Sequence, residues 1–351
     1  MKILFVMDTR VDRGSIQAAA NYVRVAEKMG HVIAIYGHPN PDFPSLRFSA
    51  DIHTFDYVVF IIEGWRRWMS GLRVPRVLSA VPRERRAILD TDGMYNQAIS
   101  VDSYDFNYLS EQDRSEWLAH YRLLADRILQ PTLAPHQPGV RSLPFYGYDA
   151  DAQVSCHTSF AKRFDILQVG HNWWRWRQVS ESLLPAIEKI RPQLGEICFV
   201  GLWWDAPPSR AGGMNFEAAF CVDPERLRRL QIEVKPPVPY TQVIPLMSEG
   251  RINVMTQRPL FRHFKLLTSK YFEIVSADTI PLVMLDPAEA ESVYGPAGRE
   301  LALHGGVADK LLDALHHTET YRQIAHEVRR HLLAHHSYFR RVQELVEALQ
   351  T

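Results

Sequence analysis

Three tryptophans, two arginines, a histidine and a glycine crowd into the ten residues Val169 to Gln178, VGHNWWRWRQ. A core takes tryptophan but not arginine beside it, and a solvated loop takes arginine but not three indoles, so the stretch reads as the rim of a ligand site. Gly170 would let the backbone approach a phosphate. His171 and Asn172 can hydrogen-bond a sugar or an acceptor, and His171 can also move a proton. Arg175 or Arg177 can reach a diphosphate, and Trp173 is the indole expected to stay exposed as a platform. The plain alternative is that Trp174 and Trp176 pack on neighbouring helices. Gly201 to Asp205, GLWWD, repeats the aromatic pairing further along.

Glu273 stands early on a helix expected to begin near Thr268 or Ser269. A carboxylate there can accept paired hydrogen bonds from two ribose hydroxyls while the free amides of the first turn face a diphosphate; it can equally complement the helix dipole. Lys265 and Lys270 are further cations for such an anion, or solvated surface charges. In the N-terminal half, DTRVDRGS and LDTDGMYN offer Asp8, Asp12 and Asp92 as a base for an acceptor hydroxyl, with turn formation or capping the alternative, favoured for Asp12. Arg10 and Arg13 in the first of these loops are candidates to hold the acceptor. Asp90 and Asp92 have the spacing with which two carboxylates share a hard ion. His335 and His336 are adjacent, an arrangement in which both rings rarely face one ion, so no metal site is expected.

Strands and helices must bring these residues together. Lys2 to Met7, then HVIAIY, YVVFII, RAILD and RILQ, are apolar runs of strand length, mostly separated by helix-length segments. The first is followed by IQAAANYVRVAEKMG, a helix with Ser15 as N-cap and Gly30 as stop. After SLPFYGYDADAQ, which suits a linker, the pattern restarts with DILQVG, EICFVG, QIEVK, RINVM and IPLVML. Continuous apolar strands alternating with helices imply a parallel sheet covered on both faces. The expected fold is α/β, two Rossmann-like doubly wound domains facing a cleft, with boundaries at 1–150, 151–333 and 334–351. Ligands gather at the carboxyl ends of parallel strands, where both aromatic stretches fall. Val307 to Leu333 reads as two helices, and SYFRRVQELVEAL aligns Tyr338, Val342, Leu345, Val346 and Leu349 on one face.

Bulk properties narrow the classes. Lys plus Arg equals Asp plus Glu at 40 each, with 17 of each sign in residues 1–150 and 23 of each afterwards. Nucleic-acid binding normally segregates a basic face, so no nucleic-acid partner is expected. Cys156, Cys198 and Cys221 lack CxxC spacing, which argues against a disulfide framework or zinc site and suits a reducing cytoplasm. The opening apolar run is too short for a signal peptide or a membrane span. Self-association into a homo-oligomer is left open.

INVMTQRPLFRHFKLLTSKYFEIVSADTIPLVML resembles the donor-site segment of GT-B glycosyltransferases, in which a helix of the type FE-x-x-small-A-x-x-x-P-L follows a strand. HLLAHHSYFRRVQEL resembles the tail of the spore-maturation-protein-like branch (group 1 type), where His-Thr/Ser-Tyr-x-x-Arg opens the last helix. The resemblance implies transfer of a sugar from a nucleotide-diphosphate sugar, UDP- or GDP-linked, to an acceptor hydroxyl. The C-terminal domain would hold the donor, the N-terminal one the acceptor, and the last helix would cross back to the N-terminal domain. It makes Glu273 the ribose ligand, draws main-chain groups of Val238 or Tyr240, within KPPVPYTQV, towards the nucleobase, and lets arginine and lysine replace an obligatory metal. At Lys265 the chain departs from it: many members have a glutamate eight positions before the one matching Glu273. A binding protein that lost catalysis, or a sugar-nucleotide epimerase, shares this architecture.

Overall fold

The apolar runs become the strands of two wholly parallel sheets. The computed structural model describes residues 1–10, 14–63, 74–99, 109–152, 162–208 and 217–351; Arg13, Asp12 and Cys156 lie outside them. The first sheet has β1 (Lys2–Val6), β2 (Val32–Tyr36), β3 (Tyr57–Ile62), β4 (Arg86–Asp90), β5 (Arg127–Gln130) and β6 (Val140–Ser142), in the order β2-β1-β3-β4-β5-β6. Ile3 aligns with Ile33 on one side and Tyr57 on the other. Leu4, Val6, Val58, Phe60, Ile62 and Ile88 share a core with Trp117, Tyr121 and Leu124 of the Glu111–Leu124 helix. Burial on both faces is why these strands read as unbroken apolar runs.

The second sheet has β7 (Phe164–Val169), β8 (Ile197–Val200), β9 (Ile232–Lys235), β10 (Gly250–Met255) and β11 (Ile280–Val283), in the order β11-β10-β7-β8-β9. After β9 the chain crosses to the other side of β7, so the direction of winding reverses between β7 and β10. In the first sheet the same reversal falls between β1 and β3. The chain forms two compact units: 1–147 with 263–269 and 336–351, and 148–262 with 270–335.

Residues 336–351 complete the first unit. In the Tyr338–Gln350 helix the side chains of Tyr338, Val342, Leu345 and Leu349 are buried, as their spacing requires, and Val346 is half-buried. Tyr338 meets Tyr22 edge-on at 5.8 Å between ring centroids, and Tyr22 stacks on Phe145 at 5.1 Å. Arg341, 1% exposed, donates from Nε to the Tyr146 carbonyl at 3.1 Å and is bonded to His336 Nδ1 and Glu344.

Three local expectations change. Leu143 to Tyr148 are buried rather than a linker, because Phe145, Tyr146 and Tyr148 are large apolar rings. Ser15 lies inside the Gly14–Lys28 helix, and its hydroxyl is bonded to Glu63 instead of capping. The three-residue β6 carried too short a pattern to be read as a strand. Among the described residues no helix is long and apolar enough to cross a membrane.

Replacing Arg341 by Met strips donors from the buried Tyr146 carbonyl and His336, and leaves Glu344 paired with the exposed Arg340 alone, at 3.3 Å. We expect a loss of about 3 kcal/mol, read as a lower urea midpoint with an unchanged slope.

Candidate functional site

The turns after β7 and β8 are stitched into one surface. Gly170 N–H donates to the Val200 carbonyl at 2.8 Å, and Asn172 N–H to the Leu202 carbonyl at 2.9 Å. Trp204 Nε1 donates to the Gly170 carbonyl at 2.8 Å, and Asn172 Nδ2 donates to the Trp203 and Cys221 carbonyls, both at 2.9 Å. A Cβ on Gly201 would sit 2.3 Å from the Gly170 carbonyl oxygen, so only glycine permits this approach. Trp203, at φ 67°, and Trp173 close on Phe220, each at 4.9 Å. The two tryptophan pairs are therefore one packed cluster. Trp204 is fully buried, and Trp173, Trp174 and Trp176 are half-buried, so packing accounts for much of the indole surface.

Arginine does not share that explanation. At the reversal between β7 and β10, Arg175 donates from Nε to the Thr256 carbonyl at 3.3 Å and from Nη1 to the His171 carbonyl. Arg175, Lys270 and Thr256 line a small cavity with Val169, Asn253 and Ile274. Desolvation first and the Arg258 charge second push Arg175 down to about 9. Lys270 is likewise lowered by burial and then by Arg175. Arg258 has a buried Nε with no hydrogen bond, and its guanidinium lies 4.7 Å from the Phe261 ring centroid. Three cations thus converge where a parallel sheet presents ligands.

One carboxylate faces them. Glu273, 4% exposed, has Oε2 2.7 Å from Lys270 Nζ, although neither oxygen makes a well-directed hydrogen bond. Burial raises its pKa. The Lys270–Ser276 helix has seven residues, too few for a strong dipole, so side-chain cations carry the positive potential in place of first-turn amides.

His171 has one ring nitrogen engaged by the backbone. Desolvation, then Arg175, Lys270 and Arg258, push it down to about 4, and Nδ1 accepts the Leu202 N–H at 3.0 Å. The neutral ring therefore carries its proton on Nε2. Arg177 is exposed and pairs with Glu181 at 3.2 Å, one turn on. Val238 and Tyr240 follow β9 at the sheet edge, two strands from β7. Lys265 is exposed, at φ 49°. With Thr268 and Ser269 it belongs to the first unit, where Leu267 N–H donates to the Pro131 carbonyl at 2.6 Å and a Cβ on Gly14 would lie 2.6 Å from Ser269 Oγ. Arg258 was missed by sequence reasoning. Its signal was placement: three residues past β10 and before a proline.

In the first unit, Asp8 and Arg10 form a two-pronged pair at 2.8 and 3.0 Å. Asp92 is half-buried in the turn after β4, where Gly93 adopts φ 71°. Asp90 does not face outward to share an ion with it. Its oxygens accept from Met94 N–H at 3.0 Å, Tyr95 N–H at 2.9 Å and Gln130 Nε2 at 2.9 Å. Among the described residues no three His, Cys, Asp or Glu side chains are grouped to hold a metal ion.

A family model described as glycosyl transferase-like matches residues 177–347. The C-terminal half carries a glycosyl transferase-like domain. This supports the reading of the chain as a glycosyltransferase, and its fold is GT-B, as in solved structures that align over the whole chain. T4 phage BGT in complex with UDP and Mn2+ shares 14% identity at a TM-score of 0.56, with 100% of both chains covered. An alpha-glucosyltransferase in complex with UDP-glucose and DNA containing an abasic site shares 11% at 0.67, also over 100% of both. AviGT4, a glycosyltransferase involved in avilamycin A biosynthesis, shares 14% at 0.53, covering 100% of this chain and 97% of its own. No curated protein matches by sequence.

The expectation of no nucleic-acid partner is overturned. Structures of this fold include glucosyltransferases in complex with DNA. The expectation rested on charge summed over each half of the chain, and such a sum does not report how basic any local surface is.

Burial raises Asp90 to about 6, against the hydrogen bonds that lower it. Its folded pKa exceeds the unfolded one, so folding favours the protonated form and stability falls as pH rises from about 4 to about 6. About two units correspond to roughly 3 kcal/mol. Urea midpoints across that window should fall for the parent and lose this component in Asp90→Asn; parallel curves would refute the assignment.

Proposed function

We propose that the chain transfers a sugar from a nucleotide-diphosphate sugar to an acceptor hydroxyl without an obligatory metal. The observation that carries this reading is the convergence of Arg175, Arg258 and Lys270 at the β7/β10 reversal. Their mutual repulsion in a desolvated site is relieved by a diphosphate, and the leaving phosphate gains charge as the glycosidic bond breaks, so fixed cations stabilise the transition state more than the ground state. Glu273 is our candidate for the ribose hydroxyls, which would supply the hydrogen bonds its oxygens lack. His171 would donate from Nε2 to the donor.

The second unit is assigned to the donor and the first to the acceptor, with Asp92, half-buried in the turn after β4, the base candidate. UDP is the first nucleotide to test, because T4 phage BGT and an alpha-glucosyltransferase of this fold bind UDP or UDP-glucose. DNA belongs in the acceptor panel for the same reason. Membership of the spore-maturation-protein-like branch rests on the HHSYFRR segment, whose His336 and Arg341 are bonded to each other.

Calorimetric titration with UDP, and with GDP in parallel, tests the site. Arg175→Ala and Lys270→Met should each weaken binding about tenfold to a hundredfold, the range expected for hydrogen bonds to charged groups. Failure of both nucleotides to bind, or parent-like affinity in both variants, would overturn the reading. Turnover of a UDP-sugar should proceed equally in EDTA and in Mn2+; loss of rate in EDTA with recovery on Mn2+ would remove the metal-independent part.

A further inference from the structure

Gln178 closes the VGHNWWRWRQ stretch, and no role given above uses it. We propose that Gln178 is the positioning residue that sets the spacing of Arg175, Arg258 and Lys270. The inference rests on the diphosphate reading of that site. Gln178 Oε1 accepts the Gln257 backbone N–H at 2.8 Å, and Nε2 donates to the Met284 carbonyl at 2.9 Å. One side chain from the helix after β7 thus ties down the chain leaving β10 and the chain leaving β11.

Gln257 sits between the two residues that matter. Before it is Thr256, whose carbonyl accepts from Arg175 Nε at 3.3 Å; after it is Arg258. Arg175 and Gln178, three apart and so on one helix face, grip consecutive residues of the same turn. The side chain of Gln257 in turn donates to the Tyr271 hydroxyl, beside Lys270, and the Tyr271 carbonyl accepts from the Tyr294 hydroxyl at 3.0 Å. A neutral framework therefore connects the three segments that carry the cations. Like charges cannot hold one another in place, and a charged strut would either neutralise or add to them. The amide of glutamine supplies one acceptor and one donor without charge, which is what a backbone N–H and a backbone carbonyl require at once.

Gln178→Met keeps length and volume but removes both bonds, and Tyr271→Phe removes one hydroxyl from the other arm. Affinities for UDP and UMP, or GDP and GMP should the guanine pair be the one that binds the parent, are measured by calorimetry. Circular dichroism and thermal midpoints check folding. Misplaced cations should cost diphosphate binding selectively. We expect Gln178→Met to lose at least tenfold in UDP affinity with less than a threefold change for UMP, and Tyr271→Phe to lose selectively but less. Should Gln178→Met not fold, the selective loss in Tyr271→Phe carries the test. Equal losses for UDP and UMP, or none, would overturn the proposal. Arg175→Ala separates the two ideas. If it leaves the UDP-to-UMP ratio unchanged, the diphosphate reading fails; if it collapses the ratio while Gln178→Met does not, only the positioning role fails.

Discussion

Like-charge repulsion in a desolvated space is the constraint around which the C-terminal unit is organised. Three cations at the end of a parallel sheet would drive themselves apart or into water, yet the structure keeps them together. Backbone carbonyls of Thr256 and His171 hold Arg175, and Glu273 lies against Lys270. A glycine in the neighbouring turn serves the same end. Gly201 lets the β7 and β8 turns touch backbone to backbone, and Arg175, which caps the helix that follows, reaches the Thr256 carbonyl past β10. Stability is spent locally to keep positive charge available, a pattern characteristic of sites built for ligands.

The aromatic residues then take a supporting role. The half-buried Trp173 and Trp203 and the buried Phe220 form a triangle that joins the turns on which His171 rides. A platform for a sugar and a brace for a loop need the same residue types, and only geometry separates them. The pairing of the two turns favours the brace for most of this surface.

Fold was legible because it depends on features that repeat. Ten of the eleven described strands announce themselves as apolar runs, β6 being too short, and the amphipathic face of the Tyr338–Gln350 helix follows from spacing alone. The site was legible only in part. Arg175, Lys270 and Glu273 were named from residue type and context. Arg258 was not, since an arginine in a loop carries no periodic signal and its neighbours come from distant strands. The pairing of Asp8 with Arg10 and the engagement of His171 Nδ1 by the Leu202 N–H depend on which atom each hydrogen bond uses, and sequence does not record that. Summed charge misled on nucleic acid for a similar reason: it is an average, and recognition is local.

The first unit is assembled from segments far apart in the chain, 1–147, 263–269 and 336–351. During synthesis the six strands of its sheet emerge long before the helix whose Tyr338 packs on Tyr22. Throughout translation of the second unit Tyr22 has Phe5 and Phe145 beside it but lacks Tyr338, and an incompletely covered core favours misassembly. Order of manufacture and order of completion are thus inverted, and the half made earliest is the one finished last.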